Sequence, residues 1–180
     1  MIHYNDIDRT KSLQRLAPSL FTEEHKSVLY IGARNGGFEY GINFRIAKTK
    51  ITMLEAFEEN VNFLKQIPWI TNVIHGDVRY KEIEEKFDII FWWHGPEHVS
   101  EVELPIVVKK LESICNNMVV MGCPWGIYEQ NNNPYGSYNN PYEVHVSHFD
   151  YPIFENMGYT VECLGKKDVP GSNITSIKGL

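Results

Sequence analysis

The strongest constraint in this 180-residue chain is its alternation of short apolar runs with helical stripes. From Ser27 onward, SVLYIG (27–32), KITMLEA (50–56), NVIHGD (72–77), FDIIFWW (87–93) and NMVVMG (117–122) read as five strands. Between the first two, residues 38–48 suit a helix. Phe57, Val61 and Leu64 then repeat at helical spacing until Pro68 stops the stripe. Ser100 and Glu103 have the spacing of a capping box. It opens a helix whose stripe is expected to run Val102, Ile106, Leu111, Ile114, with Pro105 removing one hydrogen bond near the start. Strands that alternate with helices imply a parallel sheet covered on both faces, because each crossover lays a helix on the sheet. At 43% hydrophobic and 22% charged residues, the chain can bury the core such a sheet needs.

After the fifth strand the rhythm breaks. Residues 123–143 are rich in Asn, Tyr, Pro and Gly and too long for a simple connector. Ser147 and Asp150 resemble another helix N-cap, with Gly158 as its stop. YTVECLG (159–165) and NITSIKG (173–179) then read as a terminal hairpin joined by a Pro-Gly turn. Residues 1–26, with Leu13, Leu16 and Leu20 around Pro18, form a helical arm ahead of the 27–180 domain.

A net charge of −6 and a pI near 5.6 disfavour a nucleic-acid partner, which requires a broad basic face. Cys115, Cys123 and Cys163 are odd in number and widely spaced, which suits reduced thiols rather than a disulfide framework. No signal-like segment and no run of roughly 18 apolar residues is present, so a soluble, cytoplasmic protein without a membrane partner is expected.

In an open α/β sheet, ligands bind beyond the carboxyl ends of the strands. The first strand ends in Gly32-Ala33-Arg34-Asn35-Gly36-Gly37, where glycines allow a tight turn and close approach to a ligand. The second ends at Glu55, 19 residues past Gly36, a spacing at which a carboxylate can accept both hydroxyls of a ribose. The third ends at His75-Gly76-Asp77-Val78 and the fourth at His94-Gly95-Pro96-Glu97-His98. Singly, each has an ordinary reading: a turn, a solvated acid, a helix cap for Asp77, a strand-end hydrogen bond for His94. Their order in successive βα units is the signal. A dinucleotide reading is weaker, because Arg34 fills the position where the backbone must reach a pyrophosphate and Asp77 has no role there.

These residues resemble the class I S-adenosylmethionine-dependent methyltransferases over about residues 27–165. VLYIGARNGG is similar to the family's glycine motif, ITMLEA to its ribose-binding acid motif, VIHGDVR to its adenine motif, and FDIIFWWHGPEHV to the motif bordering donor and substrate. NPYEVHVSHF (140–149) is similar to the later part of many small members. The resemblance implies a Rossmann-like seven-stranded sheet of order 3-2-1-4-5-7-6, mostly parallel with the last strand antiparallel, and helices on both faces. It implies S-adenosyl-L-methionine as cofactor, S-adenosyl-L-homocysteine as product, and a donor site from Gly32, Ala33, Arg34, Asn35, Gly36, Glu55, Ala56, Asp77, Val78 and His94. Two positions depart from the family pattern: Tyr30 stands where an acid is usual, and Arg34 where a glycine is usual.

Methyl transfer needs alignment and exclusion of water, and a base only if the acceptor must lose a proton. His94 or His98 suits that role, with Glu97 and His145 as further acceptor-side candidates. The 123–143 segment offers Tyr and Trp surface and Asn amides, suited to a small sugar-like or aromatic polar acceptor methylated at oxygen. His94, His98, His145, His148 and Glu97 could meet at a metal only if the chain brings them together; no metal is assigned. H-x-x-E-H also matches an inverted zinc-protease motif, but Gly95-Pro96 interrupt the helix it needs. The other reading is a non-catalytic relative that binds a nucleoside or a protein. The sequence leaves oligomeric state open.

Overall fold

The computed structural model describes residues 4–22, 25–32, 34, 49–130 and 140–180. Its centre is one seven-stranded sheet: β1 (Ser27–Ile31), β2 (Lys50–Glu55), β3 (Asn72–His75), β4 (Phe87–Trp93), β5 (Cys115–Pro124), β6 (Thr160–Leu164) and β7 (Asn173–Gly179). The order is β3-β2-β1-β4-β5-β7-β6, as the sequence implies. β1 to β5 pair in parallel, and β7 runs antiparallel to both β5 and β6.

Burial on both faces explains why the inner strands are apolar throughout rather than alternating. Along β4, Ile89, Phe91 and Trp93 join the core on one face, while Ile90 and Trp92 join the core on the other. Both tryptophans are thus sheet packing, as their context predicts. Tyr30 also faces a core: its ring is 4% exposed and stacks on Phe91 at 6.1 Å.

The arm comprises α1 (Tyr4–Leu16) and α2 (Ser19–Thr22). Leu13 and Leu20 are buried with Trp93, Val120 and Ile177 on one face of the sheet. Arg9 Nη2 donates to Asn173 Oδ1 at 2.9 Å, and Arg15 and Ser12 both bind the Glu162 carboxylate. α3 (Glu58–Leu64) buries Val61 and Leu64, as expected. The expected helix over 38–48 lies outside the described residues.

Two local expectations are corrected. In α4 (Leu104–Ser113) the buried face is Leu104, Val107, Val108 and Leu111, whereas Val102 and Ile106 are 79% and 70% exposed. The Ser100–Glu103 pairing forms, with the Ser100 N–H and hydroxyl both donating to Glu103 Oε2. The helix nevertheless starts only at Leu104, beside Pro105. The i, i+3, i+4, i+7 face with four apolar residues then outcompetes the sparser stripe. Ser147 is not a cap either. Its hydroxyl donates to Val99 O at 2.7 Å, and α5 (Pro152–Asn156) opens five residues beyond it, after Asp150 accepts the Tyr151 N–H. Gly158 does end that helix, at φ +85°.

Candidate functional site

The carboxyl ends of β1, β2 and β3 build one wall of a crevice. Gly32 leaves β1 at φ +70°, donating its N–H to Leu54 O. Among the described residues, a β-carbon placed on Gly32 would meet no heavy atom within 4 Å. Arg34, also left-handed at φ +55°, donates its N–H to Glu55 Oε2 at 3.0 Å. Glu55 Oε1 accepts the Phe57 N–H at 2.9 Å, and the residue is 5% exposed. Burial pushes its carboxyl above the usual range, only partly opposed by those N–H donors. Ala56 follows it and accepts a bond from His75 Nε2.

Asp77 and Val78 follow β3. No helix lies between β3 and β4, so Asp77 is no helix cap. Its carboxylate instead accepts from the Arg79 N–H, Nε and Nη2, closing a tight turn. Burial favours protonation, but the Arg79 bonds outweigh it and hold the carboxyl below its ordinary value. Val78 is half-buried. Ala33, Asn35 and Gly36 lie outside the described residues.

The opposite wall begins at the end of β4. His94 adopts φ +50°, and its N–H donates to Gly122 O. Its Nδ1 donates to Glu97 Oε1 at 3.0 Å. Glu97 lies in the 3-10 turn Pro96–His98 and is 2% exposed. Its second oxygen, Oε2, is buried with no hydrogen-bond partner. Burial would raise the Glu97 carboxyl, yet the His94 hydrogen bond and the nearby imidazoles bring it below the usual range. Burial, then the Arg9 charge, lower the His94 pKa against the pull of Glu97.

The chain returns to this point from far along the sequence. Val146 and Ser147 both donate N–H groups to Glu97 O, laying 144–147 beside the turn. His98 Nδ1 donates to Val144 O at 3.0 Å, and His145 Nδ1 to Tyr128 O at 2.6 Å. The two rings meet edge-on, centroids 5.0 Å apart, and His145 Nε2 lies 3.9 Å from Glu97 Oε1. This segment is extended, so burial alternates: His145 turns in, Val146 out, Ser147 in, His148 out. The structure brings His94, Glu97, His98 and His145 together and leaves His148 exposed. Residues 131–139 of the long segment lie outside the described residues. At its end, Glu143 Oε1 lies 3.4 Å from Arg34 Nε, joining the two walls.

Sequence reasoning missed three participants. Arg9 comes from the arm and sits 5.7 Å over the Trp93 ring, close enough to bias His94. Arg79 was signalled by its place two residues after Asp77, where a turn can close on an acid. Tyr128 acts through its backbone, which no side-chain pattern reveals.

Solved structures share this fold. The N-terminal domain of EvdMO1, solved in the presence of S-adenosylhomocysteine and D-fucose, is 16% identical. The match covers 99% of this chain and 84% of that one, with a TM-score of 0.66. The N-methyltransferase NodS from Bradyrhizobium japonicum WM9, in complex with S-adenosylhomocysteine, is 13% identical over 98% and 88%, with a TM-score of 0.70. CalS10, an amino pentose methyltransferase from Micromonospora echinaspora, is 11% identical over 97% and 90%, with a TM-score of 0.64. The fold is that of the class I methyltransferases. No family model and no curated protein matches the chain in sequence. The two walls described here flank the topological switch point, where the strand order reverses between the paired β1 and β4. Among the described residues, no helix is long and apolar enough to cross a membrane.

Proposed function

We propose that the protein transfers a methyl group from S-adenosyl-L-methionine to a hydroxyl of a small polar acceptor, sugar-like or aromatic. The observation that carries the reading is the His94–Glu97 hydrogen bond at the carboxyl end of β4, the neighbour of β1 on the side away from β2 and Glu55. The residues present fit the cofactor. No heavy atom of the described residues would crowd a β-carbon at Gly32, and the Glu55 carboxylate is held in place by two backbone N–H groups while retaining lone pairs for ribose hydroxyls. Gly32, Arg34, Ala56, Asp77 and Val78 would line the rest of the donor site, together with Ala33, Asn35 and Gly36 of the same turn.

When bound, the sulfonium donor supplies a methyl group already activated for displacement. The chain's task is then alignment and proton removal. A carboxylate accepts hydrogen bonds only, so the Glu97 bond fixes the proton on His94 Nδ1 and leaves a lone pair on Nε2. Nε2 would take the proton of an acceptor hydroxyl, and Glu97 would stabilise the imidazolium that forms. His98 and His145 flank the acceptor. The sugar-related molecules named for EvdMO1 and CalS10 support a sugar-like acceptor here.

Calorimetric titration with S-adenosylhomocysteine tests the cofactor assignment. Micromolar binding is expected, weakened roughly ten- to hundredfold in Glu55→Gln, since charge-assisted hydrogen bonds contribute about 1.5–3 kcal/mol. Absence of binding by the folded protein refutes it. One observation favours the second reading, a non-catalytic nucleoside- or protein-binding module: Arg79 already occupies the Asp77 carboxylate. In that case the titration shows no binding of donor or product.

A further inference from the structure

Three features of the acceptor wall have no use in proton transfer alone. Glu97 Oε2 is buried and unpartnered, although leaving a buried carboxylate oxygen bare is costly. His98 and His145 each give Nδ1 to a backbone carbonyl, which can only accept, so both rings carry their proton there. Nε2 is then the nitrogen left with a lone pair in each ring. One ligand atom from each of Glu97, His98 and His145 lies within 4.8 Å of the other two. A histidine tied at one nitrogen to a carbonyl, with its other nitrogen open, is how proteins orient a metal ligand.

We propose that Glu97, His98 and His145 form a binding site for a divalent transition-metal cation such as Zn2+. Two imidazoles and one carboxylate suit such ions, whereas Mg2+ and Ca2+ favour all-oxygen sets. Tetrahedral bonds of about 2.0–2.1 Å place ligand atoms about 3.4 Å apart. The ligand atoms lie within 4.8 Å of one another and His145 Nε2 stands 3.9 Å from Glu97 Oε1, which leaves about 0.5–1.4 Å to close. Glu97 serves both neighbours: Oε1 accepts from His94 and offers its second lone pair towards His145, and the unpartnered Oε2 can join it on the cation. Three protein ligands leave a position open beside His94. The cation's role there, holding the acceptor oxygen, rests on the proposed methyl transfer; its binding does not.

The test uses the full chain, freed of metal by chelator, and Co2+ alone as probe, with no methyl donor present. One Co2+ per chain is expected by calorimetry, with intensified visible d–d bands that Zn2+ abolishes. His145→Ala and His98→Gln should each lower affinity by more than about a hundredfold, beyond what loss of an outer-shell partner costs. The exposed His148→Ala should leave it unchanged. Failure of the folded wild type to bind, or affinities within about threefold of wild type in both ligand variants, overturns the site. If a ligand variant does not fold, the wild-type melting temperature decides. A rise with Zn2+ and none with Mg2+ supports the site, and no rise with Zn2+ overturns it. Because the donor is absent throughout, this result is independent of the S-adenosylhomocysteine titration.

Discussion

Gly95→Ala tests whether the acceptor wall is seated on the core. Gly95 links His94 to the Pro96–His98 turn, and an added β-carbon would lie 1.9 Å from Trp92 Nε1 and 2.1 Å from Cδ1. Ordinary contact begins at 3.4 Å, so the shortfall is 3.4 − 1.9, about 1.5 Å. Trp92 cannot supply that movement cheaply. It is 1% exposed and sits on β4 between Ile31 of β1 and Met121 of β5. Overpacking of this kind costs about 1–3 kcal/mol, and the closeness of the clash places this case in the upper half. For a chain of this size each kcal/mol moves the melting temperature by about 2–4 °C, so a fall of about 4–12 °C is expected by calorimetry. Trp92→Ala removes both clashing atoms, so the two substitutions should couple by about 1 kcal/mol or more in a double-mutant cycle. A melting temperature within about 1 °C of wild type, or an undiminished penalty in the Trp92→Ala background, refutes the argument.

Asp77 gives a pH dependence of known sign. Its folded pKa lies below the unfolded value, so the stability it adds is present above about pH 4 and is lost as pH falls through the folded pKa. Asp77→Asn should therefore lose less melting temperature than wild type between pH 6 and pH 3; equal losses would show that the Arg79 turn is not responsible. Cys163 tests desolvation at β6: burial pushes its thiol up to about 11. At pH 8 its thiolate fraction is then roughly two hundredfold below that of a free thiol, with about tenfold returned by greater nucleophilicity. Iodoacetamide should label it about twentyfold more slowly than free cysteine by peptide mapping. A rate within about threefold of free cysteine contradicts this.

What was legible in the sequence follows the range of each interaction. Strand positions could be read because apolar runs such as FDIIFWW encode burial on both faces locally, whereas the sheet order came only from the family resemblance. Glu55, Asp77 and His94 could be found because strand ends and ligand sites coincide in this architecture. The register of α4 could not, since Pro105 shifted the start and the stronger apolar face took over. Nor could the fate of Ser147, whose partner Val99 lies 48 residues away. The acceptor wall was half legible. His94, Glu97 and His98 are contiguous, whereas His145 joins them through backbone pairing to Glu97 O, which leaves no trace in side-chain pattern.

That pairing has a consequence for how such a site can diversify. His145 N–H bonds Gln130 O, and Gln130 Nε2 bonds Glu143 O, so the chain enters and leaves the 131–139 stretch through one clamp. Below the clamp, the main-chain carbonyls of Val144 and Tyr128 hold His98 and His145, and the Glu97 carbonyl holds residues 146 and 147. Closing a longer chain between Gln130 and Asn140 adds little entropic cost, so a change of length there leaves these anchors in place. On the proposed reading, the sequence between those two residues and the reactive groups are separately heritable.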